Sequence, residues 1–136
     1  MDIDKSMQVA FAALNAQGTR LRVVAENLAN ADSTAQSPGG EPYRRKIVTF
    51  QSVLDRQLGV TTVKVAKIMP GAGEFERRFD PANPGADAEG YVLMPNVNPL
   101  MELMDMHEAQ RSYQANLNTI DAAKSMLSRT IDLLRG

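Results

Sequence analysis

From Ile3 onward apolar residues recur at Met7, Ala10, Leu14, Leu21, Val24 and Leu28, and with Gln17 in the one gap the steps alternate between four and three. That rhythm predicts a helix with a coiled-coil seam. The far end repeats it through Leu103, Met106, Tyr113, Leu117, Ile120, Leu127, Ile131 and Leu134, with Gln110 and Lys124 as polar interruptions. Asn98 is a good N-cap, Pro99 suits the first helical position, and Glu102 and Asp105 favour the positive end of the helix dipole. Arg129 and Arg135 stand near the other end, where cations are favoured.

Between these runs the pattern changes. "SPGGEP" (37–42), "MPGAG" (69–73) and "DPANPG" (80–85) are turn punctuation that a helix interior does not tolerate. "YRRKIVTF" (43–50) and "VTTVKVAKIM" (60–69) read as strands by their β-branched content, and "GYVLM" (90–94) is a third candidate. The expected fold is mainly α with a small β-rich middle: an antiparallel coiled coil of the N- and C-terminal helices. Residues 1–32 and 98–136 form one helical domain, and 33–97 form a β-rich, loop-containing middle.

A narrow seam of about fifteen residues returns less than the ordering of about sixty helical residues costs. Both ends are therefore expected to gain order by packing against other chains. Ala12, Ala13, Ala16, Ala25 and Ala29, with Ala109, Ala115, Ala122 and Ala123, offer faces small enough for neighbouring helices to approach. The seam is expected to pack within the chain, and the alanine faces to meet neighbours.

Composition narrows the function classes. Hydrophobic residues make up 43%, aromatic ones only 5%, and 15 basic side chains nearly balance 16 acidic ones. A net charge of −1 gives no general reason to seek nucleic acid or an anionic membrane. Cysteine is absent, which excludes disulfides and thiolate metal sites, and the single His107 has no second ligand or orienting partner. No phosphate cradle or nucleophile elbow is present, so no enzyme activity, metal or cofactor is expected. No apolar stretch approaches the ~20 residues of a membrane helix. The six-residue apolar run from Val9 to Leu14 is too short for a secretory signal, so export by that route is not expected.

Three asparagines and one basic run are left. Asn27 and Asn30 are either simple helix-end residues or a junction whose amides secure the bend into the middle. Asn116 is either a buried interhelical hydrogen bond or an exposed position. Arg44, Arg45 and Lys46 are either a solvated strand face or partners in salt bridges, with Asp87 and Glu89 as the complement within or between chains.

"NLANADST" (27–34), with "AQGTRL" upstream, resembles the N-terminal signature of flagellar axial proteins. "PYRRK", "FDPANPGADAEGYVLMPNVN" and "MHEAQRSYQANLNTIDAAKSM" are similar to members of that family from the proximal rod. The resemblance runs nearly end to end. It implies a structural subunit of the bacterial flagellar basal body, polymerised helically into the periplasmic rod, forming the wall of the export channel, transmitting torque and needed for motility. Implied partners are copies of itself, other rod proteins, the flagellar type III export apparatus and the surrounding basal-body ring. Export would then need no cleaved signal. A competing reading is a soluble adaptor whose terminal helices form a discrete coiled-coil dimer.

Overall fold

The structure, a computed structural model, describes residues 2–136. Of the expected N-terminal segment, Met1 lies outside the described residues. Helix α1 runs Ile3–Ala29 and helix α2 runs Pro99–Arg135. Between them lie four strands, β1 (Lys46–Asp55), β2 (Val60–Pro70), β3 (Glu76–Phe79) and β4 (Tyr91–Met94). The mainly helical fold with a small β-rich middle is the one the hydrophobic rhythm predicts.

Side chains mark where each helix starts. The Asp2 carboxylate accepts the Asp4 N–H at 3.0 Å, and Asn98 Oδ1 accepts those of Leu100 and Met101 at 3.1 and 3.4 Å. Each satisfies backbone donors that the first turn leaves free. Asn30 ends α1: its side-chain amide donates to the Glu26 carbonyl at 2.9 Å, and its Oδ1 accepts the Ser33 hydroxyl at 3.0 Å. Among the described residues every one with positive φ is a glycine, so Asn30 closes the helix without the left-handed conformation.

The chain groups into two compact units whose boundaries run across the three expected segments. The first holds the chain up to Leu21, Thr49–Lys67 and His107–Gly136; the second holds Arg22–Val48 and Ile68–Met106.

In the first unit the helices are antiparallel. Arg20 meets Glu108 at 3.4 Å, and Gly18 faces the Tyr113 ring. Ile3 shares a groove with Ala123 and Met126. The strand portions form a hairpin, with the Thr49 hydroxyl donating to the Lys67 carbonyl and the Thr62 hydroxyl to that of Val53. At its tip Asp55 Oδ1 accepts from Gln57 and Leu58, and Gly59 turns the chain at φ +67°.

In the second unit β3 and β4 pair antiparallel, with Arg77 opposite Leu93 and Phe79 opposite Tyr91. Gly85 is needed where the 80–90 loop crosses the chain near Ala35, because a Cβ there would lie 2.5 Å from the Ala35 carbonyl oxygen. Thr34 and Asn83 bond side chain to side chain beside that crossing.

The buried positions correct the expected seam. Ala10, Val24 and Ile120 are buried, and Met106, Tyr113 and Leu117 are half-buried. Ile3, Met7, Leu14, Leu21 and Leu28 are half-buried. Leu127, Ile131 and Leu134 are exposed, so they form no intramolecular seam among the described residues. On α2 the buried line falls one residue earlier than expected, at Glu102, Ala109 and Ala123 in place of Leu103, Gln110 and Lys124. The alanine expectation is inverted in part. Ala16, Ala109 and Ala123 are buried within the chain, whereas Ala25, Ala29, Ala115 and Ala122 remain exposed. The physical reason is spacing: alanines let backbones approach closely, so the helices meet along them and turn larger side chains outward.

Candidate functional site

The last turn of α1 carries Asn27 and the first turn of α2 carries Glu102, and these are the two buried polar residues among those described, 1% and 0% exposed. Tyr43, Arg45 and Lys46 reach them from the start of β1. The Asn27 amide donates to the Lys46 carbonyl at 2.9 Å and to Glu102 Oε2 at 3.3 Å. Its Oδ1 accepts the Lys46 N–H at 3.0 Å and the Tyr43 hydroxyl at 2.8 Å. Four bonds fill the hydrogen-bonding capacity of the amide. Two of them exchange donor and acceptor with the same residue, Lys46, as a neighbouring strand would, so Asn27 serves as the pairing partner for the first residue of β1.

Arg45 Nε donates to Glu102 Oε1, and its Nη2 lies 3.8 Å from Asp105 Oδ2. A fully buried carboxylate is costly unless paired, and Glu102 has both the guanidinium and the Asn27 amide. Burial, followed by the nearby Glu26 and Glu102 carboxylates, holds the Tyr43 phenol above the ordinary tyrosine range. It stays the neutral donor that Asn27 accepts from.

The rest of the basic run is also engaged. Arg44 donates to the carbonyls of Gly71 and Gly73 at 2.9 and 3.1 Å and stacks over the Phe75 ring at 4.3 Å. The Arg45 N–H donates to Asn96 Oδ1 at 2.7 Å, and Lys46 lies 3.4 Å from Glu26. Asp87 and Glu89, expected as the complement within or between chains, pair within the chain with Arg77 at 3.4 and 3.7 Å. The turn geometry explains this: Asp87 Oδ1 accepts from the N–H groups of Glu89 and Tyr91, which fixes both acids beside the β3–β4 ribbon. The Tyr91 bond above all, with the Glu89 bond and Arg77, holds the Asp87 carboxyl below its usual range against a smaller effect of desolvation.

The two signature asparagines therefore divide the two readings between them. Asn30 is a helix-end residue and Asn27 is the junction. Asn116 is neither alternative expected of it, since its amide donates to the Ser112 carbonyl of its own helix at 2.8 Å. His107 is exposed on α2. Glu102 was missed as a site residue because a carboxylate in a first helical turn is already explained by the dipole.

A second feature lies on α2. Every residue from Lys124 to Gly136 is exposed, among them Met126, Leu127, Ile131, Leu133 and Leu134. Leu100, Met101, Leu103 and Met104 are exposed near its start. Exposed large apolar side chains grouped in this way make each stretch a candidate interaction face. Among the described residues no helix is long and apolar enough to cross a membrane.

Comparison with known proteins shows the family. Residues 7–35 match the family described as Flagella basal body rod protein, and residues 88–133 match Flagellar basal body rod FlgEFG protein C-terminal. The chain is 50% identical over 133 residues to the flagellar basal-body rod protein FlgC of Agrobacterium fabrum, covering 98% of this chain and 96% of that one. The chain belongs to the FlgC family. It is also 46% identical to FlgC of Salmonella typhimurium over 92% of each chain, and 41% identical to FlgC of Bacillus subtilis over 94% of this chain and 95% of that one. As a FlgC-family member it is a structural protein of the flagellar basal-body rod. The two matched segments hold both helical sides of the junction, Asn27 in one and Glu102 in the other.

Proposed function

We propose that this chain polymerises helically with copies of itself and with other axial proteins to build the proximal rod in the periplasm. There it forms wall around the export channel, transmits torque and is needed for motility. The flagellar type III apparatus delivers it as an unfolded chain without a cleaved signal. The terminal segments 1–32 and 98–136 act as one helical domain, and the middle, 33–97, faces outward toward the surrounding ring. Asp87 and Glu89, already paired once with Arg77, are exposed enough to take basic partners from a neighbouring subunit.

The observation that carries this reading is the row of apolar residues left bare on the last turns of α2. A free-standing chain has no use for Leu127, Ile131 and Leu134 in water, whereas a helical polymer covers them. The adaptor dimer would cover such a row too, but near full-length kinship with rod proteins favours the polymer.

Complementation of a strain lacking the gene tests the proposal. Leu117→Asp, in the half-buried seam, and Ile131→Asp, on the bare row, should each abolish incorporation into basal bodies and swimming. Circular dichroism should show Ile131→Asp still helical. Normal swimming with Ile131→Asp would overturn the proposal.

A further inference from the structure

The first unit holds an apolar groove of about 210 Å³ lined by Ile3, Ser6, Thr119, Ala122, Ala123 and Met126. It opens where α1 begins and where the small side chains of Ala122 and Ala123 leave room above α2. Beyond Met126, α2 continues to Arg135 with every side chain exposed. Its last two leucines, Leu133 and Leu134, are 82% and 83% exposed, more than any other large apolar side chain among the described residues.

We infer that the groove is the socket for the end of α2 from a second copy of this chain, with Leu133 and Leu134 as the inserted residues. This rests on the proposed self-assembly and names the contact that drives it. Two features of the chain support the second copy as occupant. The groove supplies small residues where the tail supplies large ones, the knob-and-hole pairing of packed helices. The charges are complementary: Asp2 and Asp4 outnumber Lys5 where α1 begins, and Arg129 and Arg135 outnumber Asp132 on the tail.

Groove and tail are different surfaces of one chain, so the contact is heterologous. A copy that fills its neighbour's groove leaves its own open, and the interaction propagates as an open polymer rather than closing as a dimer. The separation fixes a repeat. Leu133 lies eleven residues beyond Ala122, so parallel copies joined this way are staggered by about 16 Å along α2 at a 1.5 Å rise per residue.

The absence of cysteine permits a direct test. Cells express two singly substituted chains together, Ala122→Cys and Leu133→Cys, and isolated basal bodies are oxidised. The expected product is a disulfide-linked pair containing one chain of each kind, at least tenfold more abundant than the pair formed when either chain is expressed alone. Equal yields from a single variant would indicate a symmetric contact and overturn the inference. So would a link from Leu133→Cys only to a different axial protein, or basal bodies that assemble normally with no mixed pair. In those outcomes rods still form and the proposed function stands. Failure of the proposed function has a different signature, normal swimming with the bare row disrupted. Ala122→Leu, which fills the groove and keeps a helix-forming residue, should reduce basal bodies at least tenfold; unchanged assembly would overturn the socket independently.

Discussion

The junction around Asn27 and the last turns of α2 resolve their side chains in opposite ways. At the junction, polar groups are buried and each finds a partner: the Asn27 amide makes four bonds and Glu102 has Arg45. On the last turns, large apolar groups stand exposed to water, Leu133 and Leu134 at 82% and 83%. The first is a region finished within one chain, and the second, on the proposed function, is a region finished by association. The difference separates residues that hold this fold from residues that spend it on assembly, and each can be altered without the other.

The sharpest contrast comes from Asn27→Ala. It strips the Lys46 N–H and carbonyl and the Tyr43 hydroxyl of their side-chain partner and leaves the Glu102 carboxylate with one fewer donor. Four bonds lost at about 1 kcal/mol net each predict a loss of about 4 kcal/mol. Urea unfolding followed by circular dichroism would measure it. A loss below about 1 kcal/mol would show that the junction is wetter than its burial implies, and would erase the distinction between the two regions.

Next in size is Ile120→Ala. Ile120 is 2% exposed, on the same helix as the bare row, and truncation there should cost about 3 kcal/mol, a transfer loss plus a cavity. The same unfolding experiment reads it.

How far these regions were legible beforehand follows from what each signal can see. Period alone marked both helices, and Asn98-Pro99 marked the start of α2 to the residue. Period could not choose between adjacent lines on α2, because Leu103, Gln110 and Lys124 against Glu102, Ala109 and Ala123 is a choice between size and closeness of approach. A clue was present: moving the line one residue earlier trades Gln110 and Lys124 for two alanines. Strand β3, Glu76–Phe79, carries no apolar alternation and is fully exposed, so it gave no sequence signal. It exists because β4 pairs with it. The Asn27 junction was foreseeable as a residue type but not as a geometry. Its partners lie 16, 19 and 75 residues away, and local patterning does not report such distances.

Acidification gives a smaller effect, confined to the β3–β4 ribbon. A folded-state pKa held below the unfolded value stabilises above the unfolded value, and that stability is lost as pH falls through the folded pKa. The Tyr91 amide proton, which bonds to Asp87, should therefore shift in NMR with a midpoint below the ordinary Asp value of about 3.9. Asp87→Asn should remove the transition. A midpoint at or above the ordinary value would deny the backbone bonds their effect. Tyr43 responds at the opposite extreme. Its raised pKa gives a contribution that is whole below about 10 and is lost as pH rises from there through the folded pKa, so the junction should loosen only in alkali.

The smallest expected effect on stability belongs to Ile131→Ala. Ile131 is the same residue type as Ile120, on the same helix and eleven positions away, but it is 46% exposed. With no cavity to create and no buried partner to orphan, its truncation should change the unfolding free energy of the isolated chain by no more than about 0.5 kcal/mol. In a polymer the same side chain would be covered, and the truncation should then lower the temperature at which isolated basal bodies lose their rods. The pair is a controlled comparison, since chemistry and secondary structure are held constant and only the source of the covering surface changes. If Ile131→Ala cost as much as Ile120→Ala in the isolated chain, the last turns would be packed within one molecule, and the division between folding residues and assembly residues would be lost.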